Sequence, residues 1–236
     1  MGKDRCNIPE MGVSRMGLHG ARTARHQEPT DSALKPITGS ANGKKFSQHS
    51  ALQLICLDYL QWLRNGRDVA EKLHCSQSCV SRQSRSCLDL FALQARKQQG
   101  ELKIEGDSFL LNESRRLHQL FRISGLEAIR IEAPGSIIPA TGPLSSRIPI
   151  CFACTTPRNP IALTQLLLER VIDMWISHTP PERNTLDTLP ATDHQLITIS
   201  ITGTRGGDGY HNHLTCLPEV SGTAAFEAIL TAINQA

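Results

Sequence analysis

A fifteen-residue run constrains this chain more than any other feature: Val69-Ala-Glu-Lys-Leu-His-Cys-Ser-Gln-Ser-Cys-Val-Ser-Arg-Gln83. Two short helices that cross steeply need a small residue at the crossing, and Ala70 supplies it. They need apolar neighbours there, and Val69 and Leu73 flank the site. The turn between them needs a residue that tolerates a left-handed backbone. His74 stands there, a less favourable choice than glycine. The second helix needs a cap, and the Ser76 hydroxyl can accept from an orphan backbone N–H while the helix N-terminus faces a phosphate. The pattern is that of a helix-turn-helix running from about Arg67 to Leu88.

The second helix divides into two faces. At roughly 100° per residue, Ser78, Ser81, Arg82 and Arg85 fall within an arc of about 100°. Cys79, Val80, Cys87 and Phe91 fall on the other side. A helix that enters the major groove needs one short, polar, basic face and one apolar face. Arg82 and Arg85 can donate to guanine edges or phosphates, Gln77 can read adenine, and the serines can contact either. Charge along the chain agrees. Residues 1–45 hold eight Lys/Arg against four Asp/Glu, residues 46–125 eleven against eight, and residues 126–236 six against ten. A basic first half joined to an acidic second half fits a nucleic-acid-binding module followed by something else.

Residues 1–45 lack periodic apolar spacing and read as a disordered basic tail. A helix is expected after Ser50, with Leu52, Ile55, Cys56, Tyr59, Leu60 and Leu63 on one face, ending near Asn65-Gly66. The next two helices are expected over Asp68–His74 and from Ser76 to about Gln94. Glu101–Glu105, a turn at Gly106-Asp107 and Ser108–Leu111 read as a β-hairpin, and Asn112–Arg122 as a helix with Leu117, Leu120 and Phe121 on one face. A domain boundary is placed at Gly125. Beyond it, strands at Glu127–Glu132, Ile148–Cys154 and Gln195–Thr202 alternate with helices at Ile161–Ile176 and Thr223–Ile233, with a weaker apolar segment at Leu214–Leu217. That alternation argues for an α/β unit.

The Val69–Gln83 run resembles the DNA-binding segment of LysR-type transcriptional regulators. The resemblance implies a winged helix-turn-helix over residues 46–125, a dimerising linker helix beginning at Leu111-Asn-Glu-Ser-Arg-Arg-Leu117, and an effector domain over residues 126–236. The overall class is then α/β: a mainly α winged helix-turn-helix, then a small domain resembling one lobe of a periplasmic-binding-protein-like effector domain. It makes Ser76, Gln77, Ser78, Ser81, Arg82 and Arg85 the DNA-binding candidates and Glu101–Leu111 the wing. Ile129–Glu132 resembles the first effector-domain strand, and Leu166–Ile176 its first helix and the strand that follows. Three departures stand out. Ser84 occupies a position that is normally apolar and is expected to loosen helix packing; the linker helix is short; and the 111 residues after Gly125 fit one lobe, so the second is expected to be missing or reduced.

Other constellations read as structural. Cys151-x-x-Cys154 lies in an apolar run, without a second pair for a metal. His211, His213, Cys216 and His194 match no zinc spacing, and Gly203–Gly209 lacks the lysine and helix of a phosphate loop. Trp62 and Trp175 fall at core spacing. No catalytic group or cofactor is expected. No apolar run reaches the roughly 18 residues that span a bilayer, and a cytoplasmic protein is expected. The reading is a non-enzymatic regulator that binds double-stranded DNA as a homodimer, with a small-molecule effector as a further partner. The alternative is a small-molecule sensor or protein-interaction module that keeps the fold without DNA activity.

Overall fold

The computed structural model describes residues 43–137, 149–154, 158–180, 196–205 and 208–235. The expected tail therefore lies outside the described residues up to residue 42, as do His194 and much of the loop after Pro134. The chain opens with α1 (Gly43–Leu63), earlier than Ser50 predicts. Then come α2 (Gly66–Lys72), α3 (Gln77–Leu90), the strands β1 (Gln94–Gln98) and β2 (Glu101–Glu105), and α4 (Phe109–Ile123). The second half holds β3 (Ile129–Glu132), β4 (Ile150–Ala153), α5 (Pro160–Leu168), β5 (Met174–Ser177), β6 (Ile197–Arg205), β7 (Asp208–Cys216) and α6 (Ala224–Gln235).

The first helix is buried most of the way round, not along one stripe. Leu54, Cys56, Leu57, Tyr59 and Trp62 are all buried, and so are the polar Asp58 and Gln61. A helix with this profile runs through a protein's interior. The α1–α2 turn is made by Arg64, whose φ is 62°. Asn65, expected to help end α1, instead caps α2: its side chain accepts from Arg67 N at 3.0 Å.

The hairpin differs from the expected one. β1 pairs antiparallel with β2, from Gln94 opposite Glu105 to Gln98 opposite Glu101. The two-residue turn is Gln99-Gly100, with φ of 51° and 84°. Positive φ at both positions is the backbone of a type I′ turn, whose twist matches the strands it joins. Ser108–Leu111 is therefore not a strand. Asp107 Oδ1 accepts from Phe109 N at 3.0 Å, and the chain turns directly into α4. Likewise α3 ends at Leu90 rather than near Gln94, because the chain must leave the helix to form β1.

In the second half the sheet order is β4-β3-β5-β7-β6. β3 pairs parallel with β4 and β5, and β7 pairs antiparallel with β5 and β6. The helix expected over Ile161–Ile176 stops at Leu168, and Arg170 (φ 58°) turns the chain into β5. The weak Leu214–Leu217 segment is the end of a nine-residue strand, β7. One face of the sheet packs Ile129, Ile131, Met174 and Ile176 with Phe226 and Ile229 of α6. On the other face, Cys151, Leu163, Leu167, Ile172 and Trp175 share a cluster with Tyr59, Trp62, Val69, Ala70 and Val80. That second cluster joins residues from both sides of Gly125, so α1–α3 rest directly on the α/β sheet and α5. A smaller cluster of Leu54, Leu57, Cys87, Leu93 and Leu111 supports the hairpin through Leu102 and Ile104.

Candidate nucleic-acid interface

The second helix of the motif is set by local chemistry. Ser76 is the N-cap of α3, and its Oγ accepts from Cys79 N at 3.2 Å. It also lies 3.0 Å from Ser78 Oγ. His74 takes the left-handed conformation that its position requires, with φ of 50°. Cys79, Val80, Ser84 and Cys87 point inward, whereas Ser76, Gln77, Ser78, Ser81, Arg82 and Arg85 are all exposed. The structure thus brings the six sequence-predicted side chains together at one end and one face of a single helix. Gln77 is placed further by Gly66: a Cβ there would lie 3.3 Å from Gln77 Cγ, so the bare glycine lets the glutamine lie against the start of α2.

Ser84 is buried, and its hydroxyl has no hydrogen-bond partner among the described residues. A buried hydroxyl without a partner costs free energy that an apolar side chain in its place would not.

Beside this helix the hairpin adds a basic element that periodicity missed. β1 reads Gln94-Ala-Arg-Lys-Gln98, and all five residues are exposed. Arg96 and Lys97 stand on it, with exposed Lys103 of β2 opposite Arg96, so β1 adds basic residues outside the Glu101–Leu111 segment expected to form the wing.

Under this surface lies a buried network of charges. Asp58 of α1 accepts from Arg115 Nε of α4 at 2.8 Å and from Arg130 Nη1 of β3 at 2.9 Å. Arg130 also lies over the Tyr59 ring, 4.8 Å from its centroid. Arg115 further binds Glu169 at 3.1 Å and the Gln61 side chain. Arg122 of α4 binds both oxygens of Asp173, at 2.7 and 2.9 Å. Trp62 Nε1 donates to Glu132 at 2.7 Å. None of Asp58, Arg115, Arg122, Arg130 and Asp173 is more than 2% exposed. The polar stripe of α4 therefore faces inward, and its apolar stripe faces outward: Phe109, Leu110, Leu117 and Leu120 are 46–65% exposed.

No protein-family model matches the sequence, and no curated protein does. Among solved structures, the fold is similar to a single-residue variant of full-length OxyR from Pseudomonas aeruginosa, at 10% identity and a TM-score of 0.40, covering 79% of this chain and 97% of that one. It is similar to full-length LysG from Corynebacterium glutamicum with bound effector Arg, at 8% identity and a TM-score of 0.36, covering 78% and 98%. Full-length CbnR complexed with its target DNA is similar at 17% identity and a TM-score of 0.26, covering 64% and 53%. These neighbours are LysR-family regulators.

A second polar group lies at the carboxyl ends of β3 and β5. His178 Nδ1 lies 2.9 Å from Asn212 Oδ1, and its Nε2 lies 3.4 Å from Ser136 Oγ. Sequence reading missed it, because the three residues are separated in the chain and share no motif. Cys151 is buried and Cys154 exposed, so the pair does not converge. His213 of β7 bonds Ser200 at 3.1 Å while Cys216 turns into the core. Burial pushes the thiols of Cys87 and Cys216 up to about 12, which makes them structural rather than reactive. No helix among the described residues is long and apolar enough to cross a membrane.

Proposed function

We propose that this chain is a sequence-specific DNA-binding transcription regulator of LysR type, built on a winged helix-turn-helix and acting as a homodimer. One observation carries the reading: Gln77, Ser78, Ser81, Arg82 and Arg85 share one exposed face of α3, directly opposite the buried Cys79, Val80 and Cys87. A helix with this division can enter the major groove without unpacking. Arg82 and Arg85 would donate to guanine O6 and N7 or to phosphates, and Gln77 would pair with adenine. Ser76 acts through its cap, which points the positive end of α3 at the phosphate backbone. Arg96 and Lys97 of β1 would add phosphate contacts beside the groove.

Fluorescence-anisotropy binding of the full chain to a pool of genomic duplexes, at two salt concentrations, tests this. Tight binding to a subset of duplexes is expected, weakening steeply with salt as phosphate contacts are lost. Arg82→Ala and Arg85→Ala are each expected to cost roughly 1–3 kcal/mol where the side chain reads a base. Unchanged affinity in both variants would show that this is not the recognition face.

A second reading, a small-molecule sensor, is favoured by the Ser136–His178–Asn212 group. Open α/β sheets bind ligands outside the carboxyl ends of their strands, and that is where these three residues meet. In a melting-temperature screen, a metabolite present at a hundred times its Kd should stabilise the fold by about 2.7 kcal/mol. Asn212→Ala should abolish that shift, because it frees the imidazole to turn away. A screen without hits, or a shift that survives Asn212→Ala, rejects the site.

A further inference from the structure

Besides its packing on α1 and α3, the hairpin is bonded by one buried side chain of the α/β half. Arg158 precedes α5, and its side chain is 1% exposed. Its Nη2 donates to the carbonyls of Gln61 (3.0 Å) and Trp62 (2.8 Å), two of the last carbonyls of α1. Helix ends leave such carbonyls without intrahelical partners, and an arginine satisfies them well. The same guanidinium donates from Nε to Glu101 Oε1 at 3.1 Å, and its Nη2 lies in ion-pair contact with Oε2 at 2.9 Å. Arg64, in the α1–α2 turn, binds the same Oε1 at 3.1 Å. Glu101 directly follows the Gln99-Gly100 turn, so this grip falls near the hairpin tip.

At the other end of α5, Glu169 repeats the arrangement less directly. Gln61 Nε2 lies 3.3 Å from Glu169 Oε2 and 3.3 Å from the carbonyl of Leu102 in β2. Between these two links the surfaces do not close. A small cleft lined by Lys103, Ala162, Gln165 and Leu166 separates β2 from α5. The hairpin thus meets α5 through polar links at both ends of that helix rather than through close packing. Polar links of this kind transmit a displacement without fixing a single distance.

We propose that Arg158 is a positioning residue: it couples the α/β half to the hairpin, so that movement of α5 sets where the basic strand β1 lies relative to the exposed face of α3. The coupling to DNA rests on the regulator reading above; the clamp itself does not. In that reading, a ligand that shifts α5 changes the hairpin's reach toward the phosphate backbone without touching α3. Arg158 therefore tunes affinity more than sequence choice, because phosphate contacts position while base contacts specify.

Hydrogen exchange on the full-length protein, alongside anisotropy with the genomic duplex pool, tests the clamp with Arg158→Gln and Glu101→Gln. Exchange of the amides of residues 94–105 should rise about ten-fold or more, the effect of losing a charge-assisted hydrogen bond. Amides of residues 77–90 should be unchanged, and DNA affinity should fall several-fold in each variant. The double variant should lose less than the sum of the two single ones, since the Arg158–Glu101 pair is lost in both, while Arg64 and the α1 carbonyls are bonded by one residue each. Glu101 is about one-fifth exposed, so Glu101→Gln carries the test if Arg158→Gln fails to fold. Unchanged hairpin exchange in a folded variant overturns the clamp. Faster exchange with unchanged DNA affinity overturns its regulatory role. A wild-type chain that binds no duplex defeats the regulator reading, and the clamp is then judged on exchange alone.

Discussion

Asp173→Ala is expected to destabilise the protein by about 3–5 kcal/mol, the cost of stranding a buried charge. Asp173 is fully buried and accepts four hydrogen bonds: two from Arg122, one from Gln119 Nε2 at 3.2 Å, and one from the backbone N–H of Arg130 at 2.9 Å. Alanine removes all four hydrogen bonds at once. The Arg122 guanidinium would stay behind at 1% exposure; among the described residues Nη1 already lacks a hydrogen-bond partner, and only the carbonyl of Arg170 is left to receive Nη2. Urea denaturation of the wild-type and variant proteins measures the loss. The paired variant Arg122→Met with Asp173→Leu should recover part of it, because a buried ion pair replaced by apolar groups of similar volume is often neutral or better, while Gln119 Nε2 and the Arg130 N–H stay without that acceptor. A loss below about 1 kcal/mol for Asp173→Ala, far short of the stranded-charge cost, would mean that the network does not hold α4 against the sheet.

The outward face of α4 leads to the second large effect. Phe109, Leu110, Leu117, Leu120 and Phe121 fall within an arc of about 120° when the helix is unrolled at 100° per residue. Arg115, Gln119 and Arg122 lie opposite and are buried. Because the charges are committed inward, α4 cannot rotate to hide its leucines. An exposed apolar stripe of this kind marks an interaction surface, and in the homodimer proposed above a second copy covers it. Analytical ultracentrifugation should find the wild-type chain dimeric and the variant Leu117→Glu with Leu120→Glu monomeric. Both side chains face outward, so the monomer's melting should barely change. Affinity for a two-half-site duplex should fall by about 10²–10⁴-fold, since the second half-site contact would no longer be intramolecular. A monomeric wild type, or a variant that stays dimeric, would refute the assignment of this face.

Much of the α2–α3 segment was legible in the residues themselves. Its determinants are local: the cap at Ser76, the left-handed turn at His74, the small residue at Ala70 and the division of α3 into two faces. Each is a short-range constraint that a sequence carries openly. The hairpin was not legible, because β1 is polar along its whole length and fully exposed, and no alternation marks it. Its partner strand was found, but the apolar run Ser108–Leu111 drew the pairing to the wrong side. Within that run, only Leu111 enters the core, while Phe109 and Leu110 remain exposed.

Strand β3 shows where local reading ends. Ile129-Arg-Ile-Glu132 alternates as a half-buried strand with a solvated charged face would, yet all four residues are buried. Ile129 and Ile131 pack toward α6, as the pattern implies. Arg130 and Glu132 are buried because α1 lies across their face and brings Asp58 and Trp62 to meet them. These partners are 70 or more residues away in the chain. The sequence by itself determined where helices form and the exposed basic face of α3, though not where α3 and α5 end, since periodicity and capping act within a few residues. Only the tertiary structure decided which charged residues are interior, because a charge is buried only where a distant partner compensates its lost hydration.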